Sequence, residues 1–135
     1  MFAIKADVKD TQADMFEFGE QKTMYGGKRI AKGDAIFVFA SETGGGAGLV
    51  AAGIVISAEA TPRRPGVARQ TPRVSIAVRR TALAQRRLGR NELKAFSDWR
   101  DGQPETELNF KLYRQATNKV IGISEASAAF LRGFF

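Results

Sequence analysis

The chain has 135 residues, 44% of them hydrophobic and 26% charged, and a formal net charge of +7, which together predict one basic globular domain spanning residues 1–135. Cysteine and histidine are both absent, which excludes disulfides, Cys-rich zinc sites, thiolate nucleophiles, histidine general bases and Ser-His-Asp triads. The longest apolar stretches are too short to cross a bilayer, and the first residues lack the features of a signal peptide, so we expect a soluble, cytoplasmic protein that does not enter membranes.

The first half of the chain contains short apolar runs that predict strands. Residues 2–6 predict an opening strand. The residues from Thr11 onward begin like a helix-capping box and predict a short helix that ends at Phe16. After a Lys-Gly-Asp turn, residues 35–40 predict a strand buried on both faces. A second apolar run, residues 49–56, follows a glycine cluster, so the two runs predict a β-hairpin.

The second half begins with a proline-rich segment, residues 61–72, which predicts a surface loop. Residues 73–79 alternate apolar and polar side chains and predict a half-buried strand with arginine at both ends of its outer face. Residues 82–99 predict a mostly helical segment, because Leu93, Phe96 and Trp99 recur at threefold spacing. Alternation over residues 108–113 predicts another strand.

The chain ends with a predicted strand at residues 120–123 and a helix with Ser124 as its N-cap and Gly133 as its stop. This helix is predicted to bury Ala126, Ala129 and Phe130. About six strands and two or three helices predict a compact, barrel-like α+β domain.

Positive charge is concentrated between residues 61 and 94, which hold ten basic residues and one acidic residue. Nine of the ten are arginines, whose planar guanidinium groups pair with phosphate oxygens in a bidentate manner. We predict that this segment contacts a nucleic-acid backbone; the alternative is a solvated basic face. The predicted backbone contacts are Arg63, Arg64, Arg73, Arg79, Arg80, Arg86 and Arg87.

The remaining motifs do not match known nucleotide-binding or metal-binding patterns. The glycines at 44–48 fit neither a P-loop nor a dinucleotide fingerprint, because a strand follows them, and they predict a flexible hairpin tip. The carboxylate pairs at 98 and 101 and at 105 and 107 are sparser than an EF-hand loop. We expect no metal and no cofactor, and a carboxylate-based enzyme acting on a nucleotide or nucleic acid is the weakest interpretation.

Three aromatic residues, Tyr25, Trp99 and Tyr113, lie among polar or glycine residues, whereas most of the ten phenylalanines lie in apolar runs. Aromatic faces close to arginines suit the stacking of bases. Trp99 and Tyr113 are therefore predicted stacking residues. The alternative for Trp99 is an apolar anchor for the helix of Leu93 and Phe96.

Several segments resemble EVE domains, which are related to YTH domains within the PUA-like class. Residues 2–6 resemble their opening strand, and residues 32–41 resemble their glycine-aspartate turn and the apolar strand that ends in a small polar residue. Residues 48–56 are similar to the next strand. Residues 110–115, followed by 120–124 and the closing helix, resemble the Arg-Gln segment near the end of EVE domains.

The resemblance implies a PUA-like β-barrel and a non-catalytic module that binds RNA or DNA, often by gripping one modified base. Carried over position by position, it implies a base pocket at the mouth of the barrel. The pocket residues are Lys5, Ala6, Tyr25, Ser41, Arg114 and Gln115. Gln115 would meet the base edge and Arg114 a phosphate or a structural carboxylate; alternatively, this Arg-Gln pair ties its strand to the last helix.

Two functional interpretations of different class follow. The leading one is a modified-base reader with nucleic acid, RNA or DNA, as its partner. The runner-up is a small-ligand or protein-interaction domain whose basic face meets an acidic partner. The sequence does not decide between RNA and DNA, and it does not specify an oligomeric state.

Overall fold

The computed structural model describes residues 1–43, 46–66, 69–115 and 117–135. Six strands form: β1 (Phe2–Ala6), β2 (Met15–Met24), β3 (Ala35–Ala40), β4 (Gly48–Ala60), β5 (Arg73–Leu83) and β6 (Lys119–Gly122). Three α-helices flank them: α1 (Arg90–Leu93), α2 (Pro104–Leu108), which continues as a π-helical turn (Asn109–Tyr113), and α3 (Glu125–Arg132). A 3-10 turn spans Gly27–Arg29. Within the described ranges, no helix is both long and apolar enough to span a bilayer.

The six strands close into a barrel in the order β1-β3-β4-β5-β2-β6. β1 runs parallel to β3 and antiparallel to β6, and β6 runs parallel to β2, which completes the circle. The α+β barrel of about six strands with two or three flanking helices is thereby confirmed.

Two apolar layers hold the fold together, because successive side chains of a strand point to opposite faces. Ile4 of β1 lies inside the barrel with Val38, Val55 and Val78. Ala3, its neighbour, faces outward and packs in a second layer beneath the helices. The helical side of that layer is supplied by Leu93, Leu108, Leu112 and Leu131, all fully buried. The outer layer therefore fixes the positions of the helices on β1, β3 and β6.

The predicted strands at 2–6, 35–40, 49–56 and 73–79 and the hairpin of the second and third of these are confirmed. The hairpin tip predicted at 44–48 includes Gly44 and Gly45, which lie outside the described residues, as do Val67 and Ala68 of the predicted 61–72 loop.

The helix predicted from Thr11 to Phe16 is wrong, because this part of the chain leads into β2. Phe16 and Phe18 are buried in the barrel, and the exposed Glu17 separates them. Phe16 is in register with Val78 of β5, so the alternation of these side chains, rather than the capping pattern, determines the local structure.

The helix predicted over residues 82–99 is also wrong for most of its length. β5 extends to Leu83, and only Arg90–Leu93 are α-helical. The N–H of Gly89 donates to the Glu92 carboxylate at 2.7 Å, which caps this short helix. Leu93 is buried, but Trp99 is 69% exposed and does not anchor the segment.

The strand predicted over residues 108–113 is helical instead. Pro104 occupies the first turn of α2, where its missing N–H costs nothing, and Leu108 and Leu112 stack four residues apart on the buried side. The final helix is confirmed, with Ser124 Oγ accepting from the N–H of Ser127 at 3.1 Å.

The inward residues of α3 differ from the prediction: Ser127, Ala128 and Leu131 are buried, whereas Ala126 and Ala129 are exposed and Phe130 is half-buried. The helix meets the barrel through a face rotated by one or two residues from the one expected.

Candidate nucleic-acid interface

The first part of the predicted pocket lies where β1 and β3 end side by side. The N–H of Ser41 donates to the carbonyl of Ala6 at 2.8 Å, so Ser41 adjoins the end of β1. The side chain of Ala6 packs inside the barrel and is not available as a pocket wall. Lys5 points the opposite way, outward beneath the π-helical turn. The structure therefore brings Lys5 and Ser41 to one end of the barrel and places the Ala6 side chain in the core.

Lys5 is buried against Tyr113. Its ammonium donates to the carbonyl of Leu112 at 2.6 Å and lies 5.3 Å from the centroid of the Tyr113 ring. The guanidinium of Arg90 also lies 5.3 Å from that centroid. Burial, and then the positive charge of Arg90, lower the pKa of Lys5, while Glu42 acts in the opposite direction. Two cations on one ring leave this cluster suited to an electron-rich or anionic ligand.

Tyr113, a predicted stacking residue, does not lie on the strand predicted over residues 108–113. The residue ends the π-helical turn and is only 4% exposed, and burial raises the pKa of its hydroxyl. That hydroxyl is buried without a hydrogen-bond partner among the described residues. Leaving a buried hydroxyl unpaired costs about 1–3 kcal/mol, so a ligand that supplies a partner recovers this free energy.

Charged residues that sequence reasoning did not single out surround this cluster. Glu42, directly after Ser41, accepts from the backbone N–H of Arg90 at 3.2 Å, and its carboxylate lies 3.8 Å from the guanidinium of Arg87. Arg87 also pairs with Glu92 at 3.4 Å. The contacts of Glu42 with Arg87 and Arg90 join residues more than forty positions apart, and no local pattern in the sequence could reveal them. We call Lys5, Ser41, Glu42, Arg90 and Tyr113 the Lys5 cluster.

A separate pair forms from two other predicted pocket residues. The side-chain amide of Gln115 donates to the hydroxyl of Tyr25 at 3.0 Å. Tyr25 follows β2 in a left-handed conformation (φ 52°), and its carbonyl accepts from the N–H of Gly122 at 3.1 Å. The two residues are ninety positions apart in the chain, so this contact is a product of barrel closure.

Arg114 is exposed, and its guanidinium lies 4.9 Å from the centroid of the Phe110 ring. It forms no ion pair with a carboxylate in the part of the chain that the structure describes. Because residues 114 and 115 follow a helix rather than continue a strand, both side chains can face outward.

Four basic residues occupy neighbouring register positions on four strands. Arg73 of β5 pairs with Lys22 of β2, Lys22 with Lys119 of β6, and Lys119 with Lys5 of β1. Residues directly opposite one another share a face of the sheet, about 5 Å apart at their Cα atoms. We call these four residues the basic row. Like charges in this arrangement are destabilising, which calls for compensation from another source.

Backbone carbonyls supply part of that compensation. The fully buried Lys119 donates to the carbonyls of Gln115 and Thr117 at 3.1 and 3.0 Å, and Arg73 donates to that of Glu20 at 3.0 Å. Among the described residues, no carboxylate forms an ion pair with Lys22, Arg73 or Lys119. Burial, and then the charge of Lys5, lower the pKa of Lys119 to about 8. The basic row therefore combines strong positive potential with few internal counter-charges.

The depressed pKa of Lys119 predicts how stability depends on pH. Between about pH 8 and the ordinary lysine value of 10.5, the unfolded chain holds this proton and the folded protein does not. The free energy of unfolding therefore rises with pH throughout that window. We expect denaturant midpoints of the wild type to rise from pH 7 to 9.5 relative to those of Lys119→Met. A constant difference between the two proteins would show that Lys119 titrates normally.

The seven predicted backbone-contact arginines do not lie on one patch. Arg63, Arg64 and Arg73 lie at one end of the β4–β5 hairpin, and Arg86 and Arg87 lie beyond its other end. Ten residue steps along β5 separate these groups by about 33 Å. Arg80 is paired with Asp14 at 2.9 Å, and Arg79 is exposed.

Arg86 has a structural role: it donates to the carbonyl of Gly133 at 2.6 Å and lies 4.5 Å from the centroid of the Phe134 ring. At the other end, a concave region of about 460 Å³ is lined by Lys22, Arg64, Arg69 and Arg73, with Glu20 as its acidic member. This region adjoins the basic row through Lys22 and Arg73.

Metal-ligating groups are sparse. In the described segments, no three carboxylates come together in a way that could hold a metal ion. Glu107 is instead a structural carboxylate, which sequence reasoning did not recognise. It accepts from the hydroxyls of Ser124 and Ser127 and pairs with Lys111 at 2.9 Å; these contacts overcome the opposing effect of burial and lower its pKa to about 2.

No protein-family model matches the chain, and no curated protein matches it significantly. The solved structures that match it include two that cover nearly its whole length. The DUF55 domain of human thymocyte nuclear protein 1 is 11% identical, with a TM-score of 0.63, and the match covers 98% of this chain and 96% of that one. Human THYN1 in complex with 5-methylcytosine-containing DNA is 12% identical, with a TM-score of 0.64 and coverage of 98% and 95%.

These matches concern the fold, which the barrel order and the flanking helices already define. The resemblance noted in the sequence is confirmed at this level. The chain has the PUA-like fold of the EVE domains.

Proposed function

We propose that the protein is a non-catalytic nucleic-acid-binding module that reads one base at the Lys5 cluster. The observation that carries the proposal is the basic row, where four cations share one face of the barrel and lead to that cluster. Lys5 and Lys119 are buried, so a polyanion would contact the accessible end of the row, at Lys22 and Arg73, and offset the positive charge there. The phosphate backbone of a nucleic acid is such a polyanion.

The base specificity rests on the Lys5 cluster. The unpaired hydroxyl of Tyr113 and the hydroxyl of Ser41 provide hydrogen-bonding groups for a base edge, and Arg90 lies beside them. The ligand in the human THYN1 structure, DNA that contains 5-methylcytosine, supports a modified base as the ligand class. In this proposal Gln115 positions Tyr25 through their hydrogen bond rather than meeting the base itself.

The arginine-rich end of the β4–β5 hairpin extends the contact. Arg64 and Arg69 line the concavity that adjoins the basic row, so they would meet phosphates next to the base being read. Arg80 and Arg86 are engaged with Asp14 and Gly133 and contribute less to this surface.

Salt dependence of binding tests the proposal. The logarithm of the affinity for a labelled oligonucleotide should fall linearly with the logarithm of salt concentration, by about 0.7–0.9 per phosphate contacted. Arg64→Ala should reduce this slope by about one contact for every sequence alike. Arg132→Ala, which removes an exposed arginine from the far helix α3, is the matched control and should leave the slope unchanged.

Two results would contradict the proposal. One is a wild-type protein that binds neither RNA nor DNA at low salt. The other is an equal loss of slope in both variants, which would indicate that only net charge matters, as for a domain that meets an acidic protein partner. Comparing oligonucleotides with cytosine and 5-methylcytosine then tests whether a modified base is preferred.

A further inference from the structure

A second cleft lies outside the Lys5 cluster, on the exposed side of α2 and its π-helical turn. It has a volume of about 320 Å³, and three of its lining residues are aromatic: Tyr25, Trp99 and Phe110. Trp99 and Tyr25 are among the few large apolar side chains left exposed in the described structure, at 69% and 45%. An exposed tryptophan and an exposed tyrosine that line one cleft suggest a ligand with aromatic faces.

A cationic side chain lies over each of these rings. The ammonium of Lys111 lies 5.0 Å from the centroid of Tyr25, the guanidinium of Arg100 lies 5.3 Å from that of Trp99, and Arg114 lies over Phe110. Because a cation already lies over each of the three rings, a positively charged ligand such as a methylated lysine, which aromatic residues otherwise bind, is disfavoured. They favour a ligand with flat rings and negative charge.

The carboxylates around this cleft accept hydrogen bonds or form ion pairs with neighbouring residues. Glu107 is held by Lys111 and by two serine hydroxyls, and Asp101 accepts from the hydroxyl of Thr106 at 2.9 Å. Asp98 accepts from the N–H of Arg100 at 3.1 Å. The exposed guanidinium groups of Arg100 and Arg114 have no carboxylate ion pair within the described residues and are free to meet phosphates.

We propose that the Tyr25–Trp99 cleft binds an unpaired nucleobase of a single-stranded segment by stacking, as a second site next to the base-reading Lys5 cluster. The inference rests on the proposed nucleic-acid binding. Stacking on aromatic side chains with adjacent arginines is tolerant of sequence, because every base has a π face. The cleft therefore adds affinity for single strands rather than selectivity. The hydrogen bond from Gln115 to Tyr25 connects this site to the segment that covers Lys119.

The cleft contains the only tryptophan of the chain, so its occupancy can be measured directly. Titration with a single-stranded oligothymidylate of about ten nucleotides should quench the tryptophan fluorescence. An abasic oligonucleotide of the same length and charge should not. Binding of the labelled oligothymidylate, followed by anisotropy, should weaken about 5- to 150-fold in Trp99→Ala, which corresponds to one stacked base.

Two variants serve as controls. Trp99→Phe keeps a ring for stacking and should retain most of the affinity. Met15→Ala removes another exposed apolar side chain, on the far part of β2, and should change nothing.

The outcomes separate the two proposals. If the wild type binds the labelled oligothymidylate but the fluorescence does not change and Trp99→Ala binds equally well, the cleft proposal is wrong and the proposed function stands. Equal quenching by the abasic oligonucleotide also overturns stacking. If no RNA or DNA binds at low salt, both proposals fail together.

Discussion

Deleting residues 130–135 lowers the melting temperature by at least about 10 °C or prevents folding. Leu131 is fully buried and Phe134 nearly so, and the ring of Phe135 lies 6.0 Å from that of Phe37 on β3. Losing a buried leucine costs about 2–5 kcal/mol, and losing a buried phenylalanine costs about 1.5–3 kcal/mol more. These losses approach the whole stability of a typical domain. At about 3–5 °C per kcal/mol for a chain of this size, the expected shift follows.

The same deletion removes the partners of two residues in the segment after β5. The carbonyl of Gly133 accepts from Arg86, and the carbonyl of Phe134 accepts from the N–H of Gln85 at 2.7 Å. Thermal unfolding followed by circular dichroism measures the effect. Leu131→Ala alone should lower the melting temperature by about 6–25 °C. Arg132→Ala, at an exposed position of the same helix, should have little effect. A truncated protein that melts like the parent would show that the C-terminal segment does not stabilise the barrel.

The strands that the sequence predicts correctly share one property: each is an uninterrupted or alternating apolar run whose burial the barrel requires. Residues 35–40 and 73–79 are of this kind. The errors arise where two local signals compete. Around Thr11 the capping pattern predicts a helix, but the alternation of Phe16 and Phe18 matches the strand that forms. Over residues 108–113 the alternation predicts a strand, but Pro104 and the four-residue spacing of Leu108 and Leu112 match the helix that forms. In both segments, burial against the rest of the protein determines whether a strand or a helix forms. A single sequence does not show which residues the fold will bury.

The candidate site was predictable only in part. The resemblance to EVE domains placed Lys5 and Ser41 at one end of the barrel, where the structure also has them. Glu42 and Arg90 could not be found, because their contacts depend on how α1 docks beside β3. The basic row likewise depends on strand order: Lys22 and Lys119 are almost a hundred residues apart, and only the closure of β2 on β6 makes them neighbours.

The sharpest test of base reading concerns the hydroxyl of Tyr113. In Tyr113→Phe the ring and its two cations remain, and only the buried hydroxyl is lost. Because this hydroxyl is unpaired among the described residues, its removal should leave the free energy of unfolding unchanged or raise it by up to about 1–3 kcal/mol. Binding should respond in the opposite direction. If the hydroxyl contacts a base edge, preference for the modified over the plain oligonucleotide should fall about 5- to 150-fold.

If Tyr113→Phe is more stable but less selective than the wild type, the hydroxyl contributes to ligand binding rather than to the stability of the fold. Chemical denaturation and competition binding on the same samples measure both quantities. Gln115→Ala is the informative comparison, because it removes the contact to Tyr25 without touching the Tyr113 hydroxyl. This substitution should weaken binding of single strands to the Tyr25–Trp99 cleft. The ratio of the affinities for the modified and the plain oligonucleotide should stay constant. If Tyr113→Phe is instead destabilised with its selectivity intact, the hydroxyl supports the fold, and the base-reading site must lie elsewhere on the barrel.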